Sequence, residues 1–139
     1  MGYCGEKSVK DFSLTRELQD EYCISSYERY FEAKNQKIFD QEMVVLDVPK
    51  KGKINFDEEP QRFVKDKISK LRPVFPDKNK EGTITGGNAS KINDGACSIL
   101  VASEEAVSKH KLKPIAEIIS YADAESEPID FNMTPTLAS

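Results

Sequence analysis

The sequence predicts an α/β fold, and three features of its 139 residues lead to that class. Apolar residues recur at three- and four-residue steps between positions 15 and 37, which is typical of an amphipathic helix. Two short β-rich runs follow between positions 43 and 56, and an apolar run at 96–102 comes after a glycine-rich segment. Helices and strands that alternate along the chain in this way favour an α/β arrangement.

Two helices are predicted in the first part of the chain. A short helical turn should cover residues 5–12, and a longer helix should begin after Thr15, a suitable N-cap, and end near Lys37. The residues predicted to form the inward face of the longer helix are Cys23, Tyr27, Tyr30, Phe31 and Lys34. The residues expected mainly outside that face are Glu17, Asp20, Glu21, Glu28 and Glu32.

The later elements are predicted from turn residues and local pattern. Residues 43–48 and 54–56 should pair as a hairpin across a turn at 50–53. Residues 76–80 are predicted to form a charged turn. A buried strand at 97–101 and another strand at 115–121 should flank a helix that Ser103 caps and that ends near residues 109–111. The tail from 123 to 139 is expected to lack a C-terminal element.

Composition excludes several classes of protein. Apolar residues make up 38% of the chain, charged residues 32%, and the mean hydropathy is −0.56, which is lean for an independent core. The formal net charge of −4 argues against general nucleic-acid binding. Neither a membrane span nor a secretory signal is expected, since long apolar runs are missing. The three widely spaced cysteines, Cys4, Cys23 and Cys97, should be reduced and mostly buried.

Residues 62–72 form a positively charged island on an acidic chain. The run R-F-V-K-D-K-I-S-K-L-R holds five basic residues and one acidic residue. Such an island is typical of a solvated helix face. Alternatively, it could bind phosphate groups, which clusters of Lys and Arg attract.

A glycine-rich segment, residues 82–95, reads G-T-I-T-G-G-N-A-S-K-I-N-D-G. Gly86 and Gly87 let other groups approach the backbone closely, while Asn88 and Ser90 offer hydrogen-bonding groups. The pattern predicts either a tight turn that feeds a buried strand or a loop that holds a polar ligand with its main chain. It is neither a Walker loop nor a dinucleotide fingerprint, because both motifs are absent.

The run T-I-T-G-G-N-A-S-K-I-N-D-G-A resembles the T-V-T-x-x-N-A-S-x-x-N-D-G-A segment of thiolases, the coenzyme-A-dependent acetyltransferases. Similar segments lie in order at residues 1–6, 17–22, 70–75 and 120–124, and E-P-I-D-F at 127–131 looks most like the mitochondrial acetoacetyl-CoA thiolase branch. The resemblance implies a fragment of a layered αβα fold. Its parts would be an α+β loop domain at 1–82, the end of the N-terminal half at 83–102 and the start of the C-terminal half at 103–139.

The resemblance implies a binding wall for coenzyme A, with acetyl-CoA as a substrate. Tyr27 and Ser90 would contact the pantetheine or the loop that holds it, since the Ser90 hydroxyl can hydrogen-bond an amide. It also implies a potassium site made by the Tyr27 hydroxyl and by main-chain carbonyls of the glycine-rich segment. The residues that would supply those carbonyls are Gly86, Gly87 and Ala89.

The nucleotide end of coenzyme A would lie, by the same resemblance, against part of the basic island. The residues concerned are Arg62, Phe63, Val64 and Lys67. Arg62 and Lys67 keep the identities found in the family, whereas Phe63 and Val64 depart from them. A phenylalanine beside the adenine could stack on it, so the change is compatible with binding.

No residue of this chain is predicted to be catalytic. Thiolases use a cysteine nucleophile, a histidine that activates it and a second cysteine that moves the α-proton. The family carries these groups upstream and downstream of the matched region, and its N-E-A-F and G-H-P segments are absent here. A Cys97–His110 pair, or a zinc site built from the three cysteines and His110, has no spacing to support it.

The resemblance therefore implies a central fragment of an acyltransferase whose parent reaction is the reversible condensation of two acetyl-CoA molecules to acetoacetyl-CoA. Alone, the chain is predicted to be inactive. The alternative is an inactive coenzyme-A-binding or subunit-interaction module from a truncated thiolase. The parent would be a homotetramer, mitochondrial by resemblance or else cytoplasmic. Phe131 is followed by Asn132 where that branch has proline, which leaves use of a 2-methyl substrate open.

Overall fold

The computed structural model describes residues 1–76 and 81–139. Contacts divide the chain into two compact units, Met1–Ala89 and Ser90–Ser139. The predicted domain boundaries at 82 and 102 stay a prediction, and the charged turn predicted at 76–80 lies, apart from Pro76, outside the described residues. No helix among the described residues is both long and apolar enough to cross a membrane.

Two helices begin the first unit. Helix α1 covers Gly2–Asp11, and helix α2 covers Arg16–Asn35. Thr15 caps α2, because its hydroxyl accepts a hydrogen bond from the Leu18 amide at 3.2 Å. The predicted cap is therefore confirmed, and α2 ends within two residues of its predicted end. A short 3-10 helix, Ile38–Gln41, follows it.

The inward face of α2 matches the prediction in part. The buried or half-buried members of the predicted face are Cys23, Tyr27, Tyr30 and Phe31. Lys34 is exposed, so its assignment was wrong; it lies in the last turn, where a cation facing solvent is favourable. The assignment of Asp20 to the outside was also wrong, since Asp20 is 6% exposed. Asp20 lies three residues before Cys23, which places it on the same face.

A two-stranded antiparallel sheet follows the 3-10 helix. Strand β1 covers Leu46–Val48 and strand β2 covers Gly52–Ile54, with Leu46 opposite Ile54 and Val48 opposite Gly52. The predicted hairpin is confirmed in a shorter form. Two positive φ angles reverse the chain direction: +68° at Lys50, between the strands, and +79° at Gly52, the first residue of β2.

The basic island is not an α-helix. Two 3-10 helices, Pro60–Arg62 and Lys65–Lys70, cover most of it. Ile68 is 5% exposed, and the carbonyl oxygen of the same residue accepts a hydrogen bond from Arg16 Nη2 at 3.0 Å. The island is thereby fixed to the start of α2 by its backbone, and its Lys and Arg side chains face solvent.

Helix α1 fixes the entry of the glycine-rich segment. The Glu6 carboxylate accepts hydrogen bonds from the amides of Thr83 and Ile84, both at 2.9 Å, and from the Thr83 hydroxyl at 3.1 Å. The ring of Tyr3 meets the ring of Phe75 edge to face at 6.3 Å. These contacts join two parts of the first unit that lie more than 70 residues apart in sequence.

The second unit contains one α-helix and one 3-10 helix. Helix α3 covers Glu104–His110, and the Ser103 hydroxyl caps it by accepting from the Ala106 amide at 3.2 Å, which confirms the predicted cap. The expectation that the tail lacks an element was wrong. A 3-10 helix covers Pro128–Leu137, and the proline at its start suits the first turn of a helix.

The two strands predicted in the second unit are absent. Within residues 1–76 and 81–139, strand pairing is limited to β1 with β2 and one bridge between Pro73 and Thr85. Residues 97–101 and 115–121 find no partner there, and a strand requires one to satisfy its backbone groups. Their apolar side chains are exposed, for example Ile99 at 78% and Ile119 at 83%, so the prediction of a buried strand at 97–101 was wrong as well.

None of the three cysteines forms a disulfide among the described residues, and they are only partly buried. Cys23 is buried, Cys4 is intermediate and Cys97 is exposed. The expectation that they are mostly buried was therefore wrong for Cys97. The cause is the unpaired backbone around that residue, which leaves its side chain without a layer to pack against.

We expect Glu6→Ala to lower the free energy of unfolding by about 2–3 kcal/mol, because two backbone amides lose their acceptor. Urea unfolding followed by helical circular dichroism measures this. Asp11→Ala on the same helix is the matched control; it removes only the exposed pair between Lys7 and Asp11 and should cost about 0.5 kcal/mol or less. Equal losses for the two variants would contradict the role assigned to Glu6.

Candidate functional site

The glycine-rich segment forms a tight turn around the side chain of Thr85. Thr85 is fully buried, and its hydroxyl accepts hydrogen bonds from the amides of Gly87 and Asn88, both at 3.2 Å. The Thr85 amide in turn donates to Asn88 Oδ1 at 2.7 Å, and the Ala89 amide donates to the Thr85 carbonyl at 3.0 Å. Hydrogen bonds to the short side chains of Thr85 and Asn88 thus hold the turn in one conformation, although it contains no regular secondary structure.

Asp20 connects this turn to α2. Its Oδ1 accepts from Asn88 Nδ2 at 3.0 Å, and its Oδ2 accepts from Arg16 Nε at 2.8 Å. Arg16 extends the connection, because its Nη2 donates to the carbonyls of Ile68 and Leu71, each at 3.0 Å. A single buried carboxylate therefore joins the turn, the helix and the end of the basic island. A buried charge is stable only when it is paired in this way.

Gly87 lies directly against α2. Its carbonyl oxygen accepts a hydrogen bond from Cys23 Sγ at 3.2 Å. A Cβ at Gly87 would come within 2.6 Å of Leu71 Cδ1 and 3.1 Å of Ile68 Cδ1, so an added side chain would require the ends of these two side chains to shift. A Cβ at Gly86 would have no atom within 4 Å, so a side chain would fit at Gly86.

Tyr27 lies one turn after Cys23 on the same face of α2. Its hydroxyl donates to Glu59 Oε1 at 3.2 Å, and its ring stacks on the ring of Phe63 at 4.3 Å and 15°. Burial raises the pKa of Tyr27 to about 12, and the negative charge of Glu59 and the hydrogen bond to it act in the same direction. The neutral phenol is consequently the stable form at physiological pH.

The cations of the basic island have different surroundings. Arg62 Nη1 lies 4.0 Å from Glu59 Oε2, and the Arg62 side chain is 75% exposed. Lys67 is also exposed. Lys65, by contrast, donates to Glu28 at 2.7 Å, and this hydrogen bond raises the pKa of Lys65. Lys65 is thus engaged by α2, whereas Arg62 and Lys67 present their charge to solvent.

The structure brings most of the predicted site residues into the first unit. Those members are Tyr27, Arg62, Phe63, Val64, Lys67, Gly86, Gly87 and Ala89. Ser90 is exposed and is the first residue of the second unit. Phe63 stacks on Tyr27 and also lies 6.3 Å from the Phe31 ring, so an adenine would have to use the ring surface that these two neighbours leave. Val64 is 45% exposed beside it.

Sequence reasoning missed four polar residues that organise the site: Glu6, Arg16, Asp20 and Glu59. A signal was present for Asp20, because positions 20, 23 and 27 share one helix face. Glu59 carried no such signal, since its partner lies 32 residues away in sequence.

The structure gives no support to a zinc site. Among residues 1–76 and 81–139, three or more His, Cys, Asp or Glu side chains nowhere come together in a way that could hold a metal ion. His110 ends α3, and Cys97 is exposed.

Residues 1–105 match the family described as thiolase, N-terminal domain. Two relatives are similar along 99% of this chain: the probable acetyl-CoA acetyltransferase of Dictyostelium discoideum, 43% identical, and the mitochondrial acetyl-CoA acetyltransferase of Rattus norvegicus, 41% identical. The chain covers 34% and 33% of those proteins, so it spans about a third of their length.

Solved structures give the same result. A thiolase from Ascaris suum in complex with coenzyme A is 44% identical with a TM-score of 0.87, and the match covers 99% of this chain and 35% of that one. Human mitochondrial 3-ketoacyl-CoA thiolase in complex with coenzyme A is 33% identical with a TM-score of 0.82, with 97% and 34% covered. The likenesses confirm the predicted fold class, an α/β fragment of a thiolase fold.

Stability should fall at alkaline pH through Tyr27. Its pKa is about 12 in the folded protein against 10.0 for the free side chain, so the folded state binds the proton more tightly. The contribution is fully present below pH 10 and is lost as the pH rises through 12. We expect Tyr27→Phe to show a shallower loss of unfolding free energy over this range.

The loss of unfolding free energy at alkaline pH should not disappear in Tyr27→Phe, because burial also raises the pKa of Tyr30. Tyr121→Phe, which removes a hydroxyl from a ring that is 90% exposed, is the matched control. Urea unfolding at stepped alkaline pH gives the slopes. The same slope for both variants would show that Tyr27 does not hold its proton as described.

Proposed function

The chain belongs to the thiolase family, and on that premise we propose that it carries the coenzyme-A-binding wall of an acetyl-CoA C-acetyltransferase without the groups that perform acyl transfer. Two observations support this proposal. Its relatives are named acetyl-CoA acetyltransferases, and two structures that it resembles along nearly its whole length are in complex with coenzyme A. The resemblance to the two structures in complex with coenzyme A carries most weight, because those proteins bind the ligand and share this fold.

The nucleotide end of coenzyme A would meet Arg62 and Lys67. Both are exposed cations: Arg62 ends the 3-10 helix Pro60–Arg62, and Lys67 lies in the next one, Lys65–Lys70. Guanidinium and ammonium groups attract phosphates strongly, even on a chain with a net charge of −4. Phe63 would stack on the adenine, and Val64 would provide an apolar edge. The Ser90 hydroxyl would hydrogen-bond an amide of the pantetheine.

A potassium ion would be held by the carbonyls of Gly86, Gly87 and Ala89 with the Tyr27 hydroxyl. Support comes from the hydrogen bond of Cys23 Sγ to the Gly87 carbonyl, since Cys23 lies one helical turn before Tyr27 on α2. Carbonyl oxygens suit a hard cation. Thermal unfolding in potassium chloride and in an equal concentration of sodium chloride tests the proposal. A higher midpoint in potassium supports it, and identical midpoints contradict it.

The parent reaction would be the reversible condensation of two acetyl-CoA molecules, with the parent a homotetramer. A mitochondrial location is proposed because several relatives are mitochondrial enzymes. The second candidate function, an inactive binding or subunit-interaction module, is favoured by the exposed apolar side chains of residues 97–101 and 115–121. Size-exclusion chromatography with and without an intact thiolase separates the two, because only an interaction module elutes with the larger protein.

Calorimetric titration should show weak, salt-sensitive binding of coenzyme A to the 139-residue chain. We expect Arg62→Ala and Lys67→Ala each to weaken binding about three- to tenfold, because each removes a cation from the phosphate end. Lys53→Ala, which removes the same charge from strand β2, is the matched control and should leave binding nearly unchanged. Binding that ignores salt, or equal losses in all three variants, would contradict the proposed site.

The chain alone should not cleave acetoacetyl-CoA. Cys23 is buried and hydrogen-bonded to Gly87, and the resemblance assigns no catalytic role to any of its three cysteines. A thiolysis assay with free coenzyme A, run against an intact thiolase as a positive control, measures this. Turnover that scales with the concentration of the chain would refute the assignment of a binding wall without acyl-transfer groups.

A further inference from the structure

Glu59 occupies a position between two residues of the proposed site. One carboxylate oxygen, Oε1, accepts a hydrogen bond from the Tyr27 hydroxyl at 3.2 Å. The other, Oε2, lies 4.0 Å from Arg62 Nη1. A carboxylate has acceptor sites on both oxygens, so it can serve both neighbours together. One side chain thereby links α2 to the exposed cation that would meet a phosphate.

The backbone around Glu59 strengthens this link. The Arg62 amide donates to the Glu59 carbonyl at 3.0 Å, and the Phe63 ring that follows stacks on Tyr27 at 4.3 Å. Tyr27 therefore contacts the turn at two points, the Glu59 carboxylate and the Phe63 ring. These two contacts hold the backbone that carries Glu59 and Arg62, and this backbone places the two side chains within reach of one another.

A carboxylate in this place affects an anionic ligand in two ways. It attracts the Arg62 guanidinium, so that this group is less available to a phosphate. It also repels the phosphate itself. Both effects act on ligands that carry phosphate and neither acts on a neutral one. Arg62 is 75% exposed and the pair is long, so the attraction is modest and a phosphate can displace it.

We propose that Glu59 is a specificity-determining residue, which holds Tyr27 with one carboxylate oxygen and with the other limits the affinity of Arg62 for the phosphates of the ligand. The inference rests on the proposed coenzyme-A site and deepens it. Glu59 touches no reacting group and acts through Arg62 and Tyr27. Its charge sets how strongly the site prefers a phosphorylated ligand over the same ligand without phosphate.

The test compares coenzyme A with pantetheine, which lacks the phosphates and the nucleotide. The quantity measured is the ratio of the two dissociation constants, by calorimetry at low salt. Glu59→Gln keeps an oxygen that can accept from Tyr27 but loses the charge. We expect it to raise the preference for coenzyme A about two- to fivefold, with pantetheine affinity unchanged. Glu58→Gln removes the same charge from the adjacent exposed residue and should leave the ratio within error of the wild type.

Each outcome decides a separate point. A Glu59→Gln variant that changes both affinities equally, or matches Glu58→Gln, overturns the inference and leaves the proposed site intact. A wild-type chain that binds neither ligand rejects the proposed site and the inference with it. A second readout needs no ligand: the pKa of Tyr27, followed by nuclear magnetic resonance of labelled tyrosine rings, should fall in Glu59→Gln because the neighbouring charge is gone. An unchanged pKa would show that Glu59 does not contact Tyr27 and would also overturn the inference.

Discussion

The buried carboxylate of Asp20 is the constraint on which the first unit depends. Among the described residues only five are buried, and two of them, Asp20 and Thr85, are polar. The other three are Cys23, Pro60 and Ile68. Because the apolar core is so small, the hydrogen bonds to Asp20 and around Thr85 must contribute much of the stability of the unit. Removing one partner of such a network leaves the rest unsatisfied, so its members are expected to act together.

One face of α2 organises the part of the candidate site that lies in the first unit, through three residues on successive turns. Asp20 contacts Asn88, Cys23 contacts the Gly87 carbonyl, and Tyr27 contacts Glu59. The first two hold the glycine-rich turn, and the third holds the turn that leads into the basic island. The proposed ligand groups of the first unit therefore take their positions from a single helix, which is how this part of a binding wall can persist with little core.

Local signals in the sequence were sufficient where the structure is local. The hydroxyl caps at Thr15 and Ser103 and the helices that follow them depend on neighbouring residues alone, and all were predicted correctly. The prediction of strands at 97–101 and 115–121 was wrong for the opposite reason. Both segments are rich in apolar residues, but a strand forms only when it pairs with another strand. Glu59 was missed because its partner lies 32 residues away, and the contacts of Arg16 with Ile68 and Leu71 were missed because those residues lie more than 50 positions away. The family resemblance, by contrast, was carried by an unbroken run of residues and could be read directly.

The most direct measurement of the central claim is a double-mutant cycle between Asp20 and Asn88. Urea unfolding of the wild type, Asp20→Ala, Asn88→Ala and the double variant gives the energy by which the two residues stabilise one another. The structure predicts a coupling of about 1.5–3 kcal/mol, because Asn88 Nδ2 donates to a buried charged oxygen at 3.0 Å. A coupling within about 0.5 kcal/mol of zero would show that the turn is held by something other than this carboxylate.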